Sequence, residues 1–237
     1  LGRTAKCNVV ACHSVIGKIE QVSLKDVEWP VALASLADSM GYQTRLQDGI
    51  IFVGTPADFE LLAAPEAGAP ASQGKISLSF KDTALANILK VATVARQNSN
   101  IIISGSVAGN FSISLTDVSE AVALRAIARA NGYDCMYYDD VWFVTSPAII
   151  SSLREKQLSV PAGPAAGNVS LDFRNTDISA IYSILARKGS LKIDLAENVQ
   201  GRVTVKIVDQ PPAKVTAFIA WCNGYDVVPT ADGLQIR

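Results

Sequence analysis

The chain repeats itself, and the repeat limits what it can fold into more than any other feature. Ser23-Leu-Lys-Asp-Val-Glu-Trp-Pro-Val-Ala-Leu33 matches Ser114-Leu-Thr-Asp-Val-Ser-Glu-Ala-Val-Ala-Leu124 at seven of eleven positions. Each segment is followed by Gly-Tyr, at Gly41-Tyr42 and Gly132-Tyr133, and then by a strand pair ending in Phe52-Val53 or Phe143-Val144. Upstream, Asn8-Val-Val parallels Asn100-Ile-Ile, and Gly17 parallels Gly109. A more diverged third copy runs through Gly201, Val203, Val205 and Ile207 to Gly224-Tyr225-Asp226. The spacing is close to 92 residues, so three copies of one small module account for a chain of 237 residues. Whatever one copy folds into, the others must approximate.

Periodicity assigns the elements within a copy. In the opening strand Ile76, Leu78 and Phe80 alternate with Ser77 and Ser79, which gives one buried face. A helix follows, expected to be capped near Asp82, with Leu85, Ile88, Leu89 and Ala92 on one stripe; Ile178, Ile181, Tyr182 and Leu185 repeat it in the third copy. Next come a short strand at 101–104 and an alternating strand carrying Phe111, Ile113 and Leu115. Asp117 or Ser119 is placed to cap a second helix, which should stop at Gly132. Two strands at 134–138 and 141–146 then join through Asp139-Asp140, as Asp48-Gly49 joins the first copy's pair. The expected fold class is α+β: tandem β-α-β-β-α-β-β modules, each with two helices on small mixed sheets.

Composition separates the copies. Pro56 and Pro147 sit where a further helix can begin, with Thr55 and Ser146 as caps. The Pro/Ala/Gly-rich stretches that follow hold Pro65 and Pro70, then Pro161 and Pro164, with too few large apolar groups to pack a core. The expected organisation is a first module at 1–63, a linker at 64–74, a second module at 75–157, a linker at 158–167 and a third module at 168–237. Residues 1–6 align with the end of a first helix. The first module therefore reads as N-terminally incomplete, and the chain as a piece of something longer.

Residue inventory argues against catalysis. There is one histidine, and none of Cys7, Cys12, Cys135 and Cys222 forms a C-x-x-C pair, which leaves no zinc ribbon and no thioredoxin-like motif. A Ser-His-Asp triad would have to use His13, which reads as a solvated loop residue. Cys7 and Cys12, if extended, stand roughly 17 Å apart, too far for a disulfide without a bend. Free thiols are expected, with Cys135 and Cys222 in the core. Asp139-Asp140 reads as a turn rather than an acid–base pair. Gly105-Ser-Val-Ala-Gly109 lacks the Lys and the following helix of a phosphate loop. Tyr133, Tyr137, Tyr138, Trp142 and Phe143 cluster in one hairpin without interleaved basic residues. With a net charge of −1, nucleic-acid binding is not expected. No catalytic residue, cofactor site or metal site is assigned.

The pattern Ile76-Ser-Leu-Ser-Phe-Lys-Asp-Thr-Ala-Leu-Ala-Asn-Ile-Leu89, then Asn100-Ile-Ile-Ile-Ser-Gly-Ser-Val-Ala-Gly109, then Ile113-Ser-Leu-Thr-Asp-Val118 resembles the STN module, the secretin and TonB receptor N-terminal domain. Val169-Ser-Leu-Asp-Phe173 through Gly201-Arg-Val-Thr-Val205 is similar to it again. Tandem copies resemble the periplasmic arm of an outer-membrane secretin from a type IV pilus or type II secretion machine. The resemblance implies a non-enzymatic scaffold that self-associates into rings and docks inner-membrane assembly proteins, with no nucleic acid and no small-molecule substrate. The alternative it implies is a periplasmic signalling module of a TonB-dependent receptor or a FecR-type regulator. Edge strands, among which the sequence suggests 141–146, are the expected partner sites.

Overall fold

A computed structural model describes residues 7–17, 26–65, 74–93, 100–161 and 167–237. The helix remnant expected at 1–6 and parts of both linkers lie outside these residues. Among the described residues the first module comprises β1 (Asn8–Ala11), α1 (Trp29–Ser39), β2 (Gln43–Gln47), β3 (Ile50–Gly54) and α2 (Pro56–Leu62). The second comprises β4 (Lys75–Ala84), α3 (Leu85–Ala92), β5 (Asn100–Ser104), β6 (Asn110–Ser119), α4 (Glu120–Ala130), β7 (Asp134–Tyr138), β8 (Val141–Thr145) and α5 (Pro147–Glu155). The third comprises β9 (Val169–Asp177), α6 (Ile178–Gly189), β10 (Lys192–Leu195), β11 (Arg202–Gln210), α7 (Pro212–Cys222), β12 (Val227–Pro229) and β13 (Gly233–Ile236). The fold is α+β, with several small mixed sheets.

One pairing scheme recurs three times. β1 pairs parallel with β3, and β3 antiparallel with β2; β5–β8–β7 and β10–β13–β12 have the same order and directions. The long strands pair antiparallel, β4 with β6 and β9 with β11. Each of these pairs is bent at two register shifts, and the bends share one chemistry. Asp82, Asp117, Asn175 and Asp209 take left-handed backbone angles, φ between 43° and 59°, a conformation that Asp and Asn tolerate better than other side chains. Their N–H groups donate to hydroxyls on the partner strand: Asp82 to Ser112, Asp117 to Ser77, Asn175 to Thr204 and Asp209 to Ser170. Asp82 is therefore a bulge residue and not the helix cap expected of it. The strand runs on to Ala84, whose side chain makes no capping bond.

The recurrent Gly-Tyr has a matching cause. Gly41, Gly132 and Gly224 have φ near +80° just past α1, α4 and α7, the left-handed position that ends a helix. The following tyrosine N–H returns to the helix, Tyr42 and Tyr133 to the carbonyls of Ala37 and Ala128, and Tyr225 to that of Ala220. Each hydroxyl then clasps the loop after the module's short strand. Tyr42 Oη accepts from Ile16 N and donates to Ser14 O; Tyr133 does so with Ala108 N and Ser106 O, and Tyr225 with Gln200 N and O.

Local signals set the remaining ends. Thr55 and Asp58 form a reciprocal capping box on α2, and Ser119 and Ser146 cap α4 and α5 through Val122 N and Ile149 N. Asp139-Asp140 and Asp48-Gly49 all have positive φ, as two-residue hairpin turns of this hand require. One assignment is corrected: β8 lies between β7 and β5, so it is an interior strand and offers no free edge. The edges of that sheet are β7 and β9, because β11 pairs antiparallel with β5 and merges two modules into five strands, β7-β8-β5-β11-β9. Among the described residues no helix is long and apolar enough to cross a membrane.

Candidate functional site: the two module junctions

The most elaborate surfaces of this chain lie where consecutive modules meet. Alternation sends the side chains of each three-stranded sheet to opposite faces. In the second module Ile101, Ile103, Cys135, Trp142 and Val144 pack with α3 and α4, whereas Ile102, Met136, Val141 and Phe143 join a core made with the third module. Both faces are thus buried, which is why 101–103 and 141–144 are unbroken apolar runs. The first module works alike: Val10, Cys12, Ile50 and Phe52 share a core with the second module's helices. In each case the face is covered by the following module.

The two junctions use equivalent residues. Asn8 makes a two-way bond with the Thr116 backbone, donating to its carbonyl at 3.0 Å and accepting from its N–H at 2.7 Å. Asn100 accepts from Val208 N at 2.7 Å, with its amide turned to Asp140 O. The end of the following module's second helix also touches the preceding sheet. His13 N donates to Ala130 O at 2.6 Å, and at the second junction Ser104 Oγ bonds Asn223 Oδ1 at 3.1 Å. Gly105 is required there by proximity, because a Cβ would stand 2.3 Å from Arg202 O. Aromatics fill the second junction: Phe218 of α7 meets Phe143 and Tyr138 edge-on, with ring centroids 5.1 and 6.0 Å away. Lys214 beside it pairs with Asp139 at 2.9 Å, and Lys90 of α3 pairs with Asp172 of β9.

At the second junction each buried lysine pairs with a half-exposed carboxylate, whereas the first junction buries a carboxylate together with its guanidinium partner. Arg129 Nε reaches Asp134 Oδ1 at 2.8 Å, and an Arg154 guanidinium nitrogen lies 3.0 Å from Oδ2. The carboxylate is 2% exposed. Arg129 also donates to the carbonyls of Leu62, Ala64 and Pro65, so one guanidinium ties the hairpin start of the second module to the chain leaving α2. Asp58 forms a second polar cluster. Its carboxylate accepts from Ser14 Oγ, Thr55 N and Thr55 Oγ1, with His13 Nδ1 at 3.6 Å. Burial pushes its pKa up, but the bonds from Ser14 and Thr55 and the neighbouring His13 outweigh it and hold the carboxyl below the ordinary value of 3.8.

That depression has a sign. A carboxyl bound more weakly to its proton in the folded state stabilises the fold above the unfolded pKa, and the gain disappears as pH falls through the folded value. Thermal stability should therefore fall as the pH drops below about 4, and Asp58→Asn should flatten this part of the profile. Melting temperatures between pH 7 and pH 3 check this; an unchanged acid limb in the variant would refute it.

The residues singled out in the sequence are dispersed among these roles. All four cysteines are unpaired, and three are buried. Burial, first of all, pushes Cys12, Cys135 and Cys222 up to about 12, which leaves them without thiolate character. Cys222 lies at the second junction, its sulfur 3.5 Å from Ile102 O. His13 keeps over half of its side chain exposed while its ring rests against Gly132. The Gly105–Gly109 loop leads into β6, and Ser119, not Asp117, caps α4. Among the described residues no three His, Cys, Asp or Glu side chains are grouped to hold a metal. The residues overlooked were Asn8, Asn100, Arg129, Asp134 and Arg154. The available signal was the unbroken apolar runs, which require a cover on both sheet faces.

The third module's sheet breaks this pattern. By strand register Lys192, Asp194 and Gln235 occupy the positions held by Asn100, Ile102 and Phe143. All three are exposed, and Lys192 lies 3.4 Å from Asp194 and 3.6 Å from Asp232. This face lacks the apolar residues that the other two sheets bury against a following module. Replacing Asp194 with Ile and Gln235 with Phe should recreate the docking face and drive self-association at micromolar concentration, seen as a rise in light-scattering mass. An unchanged mass would show that apolar character alone does not make the junction.

No known family model matches the sequence, and no curated protein matches it.

Proposed function

We propose that this chain is the ring-forming and docking region of a secretin channel, placed in the periplasm below an outer-membrane pore, and that it works as a scaffold rather than a catalyst. The observation that supports this best is the repeated junction. Three modules of one pairing scheme are joined twice through equivalent residues, which makes a rigid stack rather than a string of independent binding units. Rigid stacking serves an arm that must hold its surfaces at fixed heights for self-association and for inner-membrane assembly proteins. β7 and β9 are the outer strands of the five-stranded sheet, the positions at which a partner strand would add.

The large apolar faces are spent inside the stack. Exposed large hydrophobics among the described residues are scattered, as at Ile16, Leu46 and Val91. A stable interface buries about 1,200–2,000 Å², so the fragment alone should be monomeric at micromolar concentration. The full-length protein extracted from membranes should have a mass of many subunits, and light scattering on both samples tests this. A full-length protein that stays monomeric, and that retains a single inner-membrane regulator, would overturn the ring reading in favour of a signalling module.

A further inference from the structure

We propose that β10, the outer strand of the third module's sheet, docks an extended segment of a partner protein as an added antiparallel strand, one that sets a basic residue between two apolar ones. The order β10-β13-β12 leaves no strand on the far side of β10 among the described residues. Its counterpart β5 holds the same place beside β8 and does have a neighbour there, because β11 pairs antiparallel with it. By register Ile193, Asp194, Leu195 and Ala196 take the positions of Ile101, Ile102, Ile103 and Ser104. Those four residues of β5 face Lys206, Val205, Thr204 and Val203 of β11.

Burial records the difference. Ile101 and Ile103 have no exposed surface with β11 at their side, whereas Ile193 is half-buried and Leu195 is 37% exposed. Ile193 packs against the third module's core, and Leu195 shares its face by alternation. The backbone agrees. Ala196 N donates to Ile236 O of β13, so the alternate N–H and C=O groups, those of Ile193 and Leu195, are directed to the open side.

The occupant follows from the side chains. A further module fits poorly, since Lys192, Asp194 and Gln235 make the outer face polar where β5 and β8 present Ile102 and Phe143. A single strand needs only the edge. Cross-strand neighbours share a face, so the two incoming residues opposite Ile193 and Leu195 meet apolar side chains. The residue between them faces Asp194. Lys192 lies 3.4 Å from Asp194 and 3.6 Å from Asp232, so one lysine serves two carboxylates. A basic residue on the incoming strand supplies the missing charge. Backbone pairing along an edge, with alternate side chains read on each face, is a general mode of peptide recognition. The edge belongs to the chain whichever machine it serves, so its failure would leave the scaffold reading to the mass of the full-length protein.

Titrating the isotopically labelled whole chain with the synthetic peptide acetyl-Ser-Thr-Val-Arg-Val-Thr-Ser-amide, followed by amide NMR, tests this. Shifts should concentrate on residues 192–196. Replacing the central Arg of the peptide by Asp should weaken binding about fivefold or more, the scale of a cross-strand charge pair. Asp194→Lys, at an exposed position, should reverse that preference. Leu195→Pro, which removes an outward N–H, should abolish binding of both peptides; if it fails to fold, the charge reversal carries the test. Absence of binding at millimolar peptide, shifts confined to β7 or β9, or an Arg preference that survives Asp194→Lys would overturn the proposal.

Discussion

Asp134→Ala should lower the stability of the chain by about 3–5 kcal/mol, the usual result of leaving buried charge without its partner. For a chain of this size that corresponds to roughly 6–20 °C in melting temperature. Asp134 is 2% exposed and sits between Arg129 and Arg154, both within 3.0 Å. Its removal leaves two guanidinium groups facing each other with no anion between them. The repeat supplies an internal control. Asp226 occupies the equivalent place in the third module, pairs with Lys156 at 2.8 Å, and is 62% exposed. Solvated ion pairs contribute little, so Asp226→Ala should cost less than about 1 kcal/mol. Equal losses in the two variants would mean that burial is not what makes the first junction depend on charge.

Phe143→Ala should cost about 3–5 kcal/mol, the range for a large aromatic truncated in a packed core, and the loss should concentrate on one junction. Phe143 has no exposed surface, yet it faces the third module and stacks edge-on against Phe218. Its neighbour Trp142 points the other way, with its indole N–H on Glu120. Limited proteolysis reads the difference. A wild-type chain cut in the Pro/Ala/Gly stretch at 158–167 should elute as one particle, because the β5–β11 ladder and the shared core hold the pieces together. The cut Phe143→Ala chain should release a separate third module. If its pieces still travel together, the ladder rather than the aromatic core dominates the junction.

Much of the module was legible in the chain itself. Strand alternation, the Gly-Tyr helix ends, the Asp-Asp and Asp-Gly hairpins and the caps at Thr55 and Ser146 are local signals, each settled within a few residues by backbone sterics and hydrogen bonding. Asp82 was misread because a left-handed bulge and a helix cap draw on the same short polar side chain. What distinguishes them is whether a partner strand offers a hydroxyl, and Ser112 is thirty positions away.

The junctions were not legible, and the reason is range. The run Ile101-Ile102-Ile103 announces a strand buried on both faces but not what covers either. The middle residue enters a core with α7, more than a hundred positions on, while its neighbours enter one with α3 and α4. The same holds for β8, which looked like an edge until β5 and β7 enclosed it. Asp134 and Asp226 follow the same Gly-Tyr, and only tertiary packing makes one a buried counter-ion and the other a rim charge. The sequence by itself determined the elements and their threefold recurrence, because those rest on local periodicity. The tertiary structure alone decided which faces meet, because that depends on pairings no local pattern encodes.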